Sequence, residues 1–268
     1  MTSNTVLSSN AVPMNTRTAG QFEHRMLFVT LWIVWASMLG CSMIWGNLSG
    51  RHSSAIALWT RMGSSIALTA TAWIAVYLWR SHQVGMFANL LAVGMTLGTI
   101  GDFFNAGLLR IVPLPDPILG GIAAFGLGHL AYIWGCFVLS KRAQLTDRRA
   151  FTKSVIAWQL FGLFTWYLVV FLGTRARPLV WPSLGYSALL AGTAGVTSAI
   201  ALQSRRFFWL GIGGALFLAS DLLLGVGMFR GHFPYQTESV WLTYGAAQML
   251  IVFSVCTAKA VLDAGEPN

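Results

Sequence analysis

The sequence predicts an all-α, polytopic membrane protein of eight transmembrane helices, and three observations carry that expectation. Hydrophobic residues fill 56% of the 268 positions, charged residues only 9%, and mean hydropathy is +0.65. Soluble domains do not have that composition. Eight apolar runs recur along the chain, each close to the ~20 residues that a helix needs to cross a bilayer. Finally, the net charge of +9 is distributed by loop, as topology demands of a membrane protein.

Residues 1–25, rich in Ser, Thr and Asn with Pro13, read as a disordered tail. The first span is Met26–Trp45. It is too long for the ~7–15-residue core of a cleaved signal and reads as a retained helix. The second, Met62–Trp79, has Trp59 and Arg61 at its interfacial edge. The third, Ala88–Leu109, carries Asp102, and Pro113–Pro117 prevents it from running into the fourth, Ile118–Leu139, which carries His129. The loop Lys141–Lys153 follows, and then the fifth and sixth spans, Val155–Leu172 and Ser183–Leu202. The seventh, Phe207–Met228, carries Asp221; a break at Arg230–Pro234 leads to the eighth, Val240–Ala258, with Tyr244 and Gln248. The whole reads as one transmembrane domain over 26–259, with a short C-terminal tail over 260–268.

With the N-terminus inside, eleven Lys and Arg fall on the inner side and six on the outer, five of the eleven in Lys141–Lys153. The positive-inside rule then places both termini in the cytoplasm of a bacterial inner (plasma) membrane. The charge is topological, which argues against nucleic acid and makes anionic headgroups its counter-charge. Oligomeric state is not readable from the sequence. Cys41, Cys136 and Cys256 all lie within spans and form neither a disulfide frame nor a zinc spacing.

Asp102 and Asp221 are the sharpest signals. A carboxyl at membrane depth costs about 2.5–3.5 kcal/mol on the lenient insertion scale, so a functional site is its first explanation. A shift of 119 residues places Gly94–Asp102 over Gly213–Asp221, Asp on Asp, and also places Phe125 on Tyr244 and His129 on Gln248. Two four-helix halves of the same orientation, related by an axis along the membrane normal, are the expected result. Each aspartate lies seven residues before the end of its run, roughly 10 Å below the outer end at ~1.5 Å per residue. His129 and Gln248 fall in the same layer, and helical spacing puts Asn105 beside Asp102, Tyr244 beside Gln248, and Phe125, His129 and Tyr132 on one stripe. Glycines crowd these positions, which favours close helix–helix approach.

The motifs Gly101-Asp102, Gly120 to Tyr132 (GGIAAFGLGHLAY), Ser220 to Leu224 (SDLLL) and Leu242 to Gln248 (LTYGAAQ) resemble, in order and spacing, the YhhN-type lysoplasmalogenase family of eight-helix membrane proteins. The likeness extends from about Arg61 to Ala258; at Arg61-Met62-Gly63 the family often has a Lys-Pro pair, of which Arg61 supplies the cation alone. The resemblance implies hydrolysis of the vinyl-ether bond of a lysophospholipid, with no cofactor and no metal. Such a bond opens by protonation on carbon, which requires a proton donor and a nearby anion, and two carboxyls in a low-dielectric layer can supply both. Asp102 and Asp221 are the candidate acid–base pair, without assignment of roles, and His129, Tyr244 and Gln248 the candidates to hold the water and ether oxygen. Asn105, Phe125, Tyr132 and Ser220 are candidate substrate contacts, and Arg110, Arg230 and Arg61 candidate headgroup ligands. A non-hydrolytic lipid or proton-coupled transporter is the alternative. A zinc hydrolase is disfavoured, because of His24, His52, His82, His129 and His232 only His129 lies deep in a span.

Overall fold

The structure, a computed structural model, describes residues 16–48, 54–109, 111 and 113–265. Its eight long helices are α1 (Thr16–Leu48), α2 (Ala55–Trp79), α3 (Gly85–Asn105), α4 (Pro117–Arg142), α5 (Arg148–Trp166), α6 (Val180–Gln203), α7 (Phe208–Gly225) and α8 (Gln236–Ala264). All eight are long and apolar enough to cross a membrane. The protein is an all-α, polytopic membrane protein, as expected.

Polar caps start α2, α4 and α5 ahead of their apolar runs. Ser54 accepts from the Ala57 N–H at 3.2 Å, so α2 begins seven residues before Met62 and takes Trp59 and Arg61 into the helix. Asp116 accepts from Ile118 N–H at 2.9 Å, with Pro117 at the first helical position, and Asp147 accepts from Arg149 N–H at 2.8 Å. The third span ends early. Gly107 adopts φ 68°, and the bonds Leu108 N–H to Phe103 O and Gly107 N–H to Phe104 O, both 2.9 Å, close a Schellman turn that stops α3 at Asn105. Asp102 therefore lies one turn from the end of its helix, shallower than a run to Leu109 implies. The structure likewise starts α1 at Thr16, inside the stretch read as a tail, of which residues 1–15 lie outside the described residues. Two π-turns, Tyr167–Phe171 and Val226–Arg230, extend α5 and α7.

Helices adjacent in sequence pack on each other, apart from α4 and α5, and the cross-contacts have a two-fold form: α4 packs on α6, and α8 on α2. The inner bundle is α2, α3, α4, α6, α7 and α8, while α1 and α5 bury only 22% of their most apolar stretches and line the periphery. In lipid the helices gain little from apolar burial against each other, so close backbone approach holds them. Gly94 of α3 and Gly128 of α4 show this: a Cβ on either would stand 3.0 Å from the other's carbonyl oxygen. Tyr132, Phe87, Phe217, Leu91 and Ile251 fill the space that such approaches leave.

Candidate active site

Asp102 sits on α3 with 5% of its surface exposed, and its carboxylate oxygen Oδ2 collects two hydroxyl donors. Ser65 of α2 donates at 2.6 Å and Tyr244 of α8 at 2.9 Å. Behind Tyr244, Gln248 Nε2 donates to the phenolic oxygen at 3.1 Å, and Gln248 Oε1 accepts from Tyr132 OH at 2.7 Å. Every hydrogen in this chain points the same way, from Tyr132 through Gln248 and Tyr244 to Asp102. Buried polar groups must be satisfied or they destabilise the fold by about 1–3 kcal/mol each, and here four of them satisfy one another. Gly98 leaves the room: a Cβ there would stand 2.8 Å from Gln248 Nε2.

Asp221 occupies the matching place on α7, but its surroundings differ. The residue of α4 equivalent to Tyr244 is Phe125, which has no hydroxyl, and Asp221 Oδ2 accepts instead from Tyr186 of α6 at 3.0 Å. It is half-buried and faces open space. The repeat thus delivers two carboxyls to one layer, and the aromatic partner from the opposite half makes them unequal.

Two cavities, each of about 240 Å³, meet at this point. The polar one is lined by both aspartates together with Tyr244, Ser220, Arg61 and Trp241. The other is apolar, walled by Ile122, Trp166, Val170, Leu190 and Phe229 among others. Asn105, Phe125, Asp221 and Leu224 belong to both walls. Ile118, Met228 and Phe229 place the apolar cavity beside the α3–α4 and α7–α8 connections, at the end of the bundle opposite the basic loop Lys141–Lys153.

The remaining sequence candidates divide by position. Arg61 is 8% exposed, lies 5.7 Å over the Trp241 ring, donates through Nε to Ala57 O at 3.1 Å and feels the charge of Glu238. It reaches the polar cavity from the side. Ser220 lines the same wall and donates to Phe217 O at 2.8 Å. Gln248 and Tyr132 stand one and two bonds behind Tyr244. His129, 1% exposed, lines neither cavity: Nδ1 bonds Thr193 Oγ1 at 2.9 Å and the ring packs against Phe217 at 4.4 Å. Thr193 Oγ1 also lies 3.1 Å from Leu189 O, to which it can donate. Arg230 is exposed and donates to Leu168 O, tying the π-turn after α7 to the one after α5. Arg110 lies outside the described residues.

Sequence reading missed Ser65, Tyr186 and Trp241. Ser65 could have been found, since it lies one helical turn from Arg61 on the same face. Nothing in the sequence pairs Tyr186 with Asp221. Among the described residues, no three His, Cys, Asp or Glu side chains converge as metal ligands would.

The sequence model of the YhhN family matches residues 56–255. Proteins named "Lysoplasmalogenase" from Mycobacterium bovis and Mycobacterium tuberculosis are each 26% identical over 191 residues, which span 68% of this chain and 66% of theirs. The match thus covers just under two thirds of those relatives. "Lysoplasmalogenase TMEM86A" of Bos taurus is 26% identical over 174 residues, 59% of this chain and 72% of the bovine protein. No solved structure matches significantly.

Proposed function

This chain belongs to the YhhN family, and from that premise we propose that it is a membrane hydrolase that opens the vinyl-ether bond of lysoplasmalogens. The products are a fatty aldehyde and a glycerophospho-headgroup. One observation carries the reading: two unequal carboxyls on the wall of one polar cavity that shares Asp221 as a wall residue with an apolar cavity. The names of the mycobacterial and bovine relatives support the same chemistry.

The inequality suggests the roles. Asp102, with two hydroxyl donors on one oxygen, is built as the ionised partner; Asp221, with one donor and an apolar flank, is built as the proton donor. Asp221 protonates the vinyl carbon remote from oxygen, and the C=C electron pair forms the new C–H bond. Positive charge develops on the carbon bonded to oxygen and is stabilised by Asp102. Water attacks that carbon, Asp102 takes its proton, and the resulting hemiacetal collapses to aldehyde and alcohol. The chain lies in the apolar cavity and the headgroup near Arg61, whose guanidinium can fork onto phosphate. By loop charge, both termini are cytoplasmic and the cavities open toward the outer leaflet.

A pair of substrates tests the assignment. Purified protein in detergent should release aldehyde from a lysoplasmalogen and none from the saturated alkyl-ether analogue, which has the same shape and no double bond to protonate. Uptake of intact lysoplasmalogen into proteoliposomes without cleavage would establish a carrier instead.

A further inference from the structure

A groove of about 790 Å³ lies far from the aspartates, between α1, the end of α2 and the last turns of α8. Its walls are aromatic. Phe28 stacks on Trp79 with ring centroids 5.1 Å apart and an interplanar angle of 15°, Phe253 meets Phe28 edge-on at 6.0 Å, and Trp32 completes the surface. The mouth carries His24, Arg25, Lys259 and Asp263.

The charges at that mouth are not self-cancelling. Two cations, Arg25 and Lys259, stand against one carboxylate, Asp263, which bonds Lys259 at 2.5 Å and His82 at 2.8 Å. Arg25 is exposed on the facing helix. The Trp79 indole N–H, in the wall, is buried with no acceptor among the described residues. An apolar trough, a basic rim and an unmet donor complement an amphiphile with an anionic head. This end of the bundle also carries Lys141–Lys153, so it is the end that charge assigns to the leaflet richer in anionic lipid.

We propose that this groove holds one anionic phospholipid, an acyl chain lying against Phe28, Trp32, Trp79 and Phe253 and the phosphate meeting Arg25 and Lys259. The site is independent of the hydrolase reading. Bound there, the lipid would add to the few direct contacts between the peripheral α1 and α8.

Native mass spectrometry of the full chain in detergent, titrated with dioleoyl phosphatidylglycerol or dioleoyl phosphatidylcholine, tests this. One phosphatidylglycerol should be retained in preference to phosphatidylcholine by roughly an order of magnitude, since each basic side chain near an anionic lipid contributes about fivefold. Arg25→Gln with Lys259→Gln should bring the two lipids to parity. Ala260→Trp is the second variant: Ala260 is exposed on the groove, so the new ring fills the trough with no change of charge, and the adduct should disappear. Equal retention of both lipids by the wild type would overturn the proposal, as would persistence of the adduct in both variants. A dimer abolished by Ala260→Trp would assign the groove to a second copy and overturn it as well.

Discussion

Tyr244 donates its phenolic hydrogen to Asp102 at 2.9 Å across 142 positions of sequence, joining the last helix of one half to the third helix of the other. This bond, with Ser65 on the same oxygen, distinguishes Asp102 from its repeat partner Asp221. If the distinction sets their roles, it can be dissected one hydrogen at a time.

Asp102→Asn and Asp221→Asn keep the side-chain shape and remove the anion or the acid. Each should lower aldehyde release by about 10²–10⁴, the usual worth of positioned proton transfer. The double variant should lose little more than either single one, because groups acting as a unit are not additive. Initial rates on monodisperse protein decide this; near-normal turnover in either single variant would end the dyad mechanism.

Tyr244→Phe should cost more than Tyr186→Phe. A hydrogen bond to an ion is worth about 1.5–3 kcal/mol and one to a neutral group about 0.5–1.5, so the expected losses in kcat are roughly 10–100-fold and at most about tenfold. Equal losses would remove the assignment of Asp102 as the ionised partner.

His129→Leu should retain turnover within a few-fold. The ring packs on Phe217 and Tyr186, bonds Thr193 and lines neither cavity, so its removal acts on packing. Thermal unfolding in detergent should show a lower Tm, in keeping with a lost buried hydrogen bond of about 1 kcal/mol. A loss of kcat beyond 10²-fold with Tm unchanged would return His129 to the chemistry.

Gly98→Ala places a methyl 2.8 Å from Gln248 Nε2, so the amide must move and the donor chain to Asp102 opens. Overpacking of this kind costs about 1–3 kcal/mol, partly offset by the better helix propensity of Ala. The expected outcome is folded protein with kcat reduced about tenfold or more. Wild-type kinetics would show that Gln248 and Tyr132 serve only as interhelical bonds.

Ser187→Phe narrows the apolar cavity at a half-buried wall position. Turnover should shift toward shorter alkenyl chains, read as kcat/KM across a chain-length series, while Arg61→Gln should raise KM for every chain length alike. A uniform effect of Ser187→Phe would remove the chain from that cavity.

The sequence by itself determined the class, the eight spans and the common layer of Asp102 and Asp221. Hydropathy and helical rise are local properties, and a buried carboxyl in lipid is conspicuous wherever it stands. The family motifs were legible for the same reason. Even so, the stop of α3 at Asn105 depended on Gly107, whose left-handed φ no hydropathy pattern records. Only the tertiary structure decided which polar groups share a bond: Ser65 with Asp102 across 37 positions, Tyr186 with Asp221 across 35, and His129 with Thr193 across 64. Those pairings follow from rotation and register between helices, which hydropathy along the chain does not record. The one-dimensional repeat predicts two equivalent carboxyls. Packing made them different, because it brings Ser65 and Tyr244 to Asp102 and only Tyr186 to Asp221.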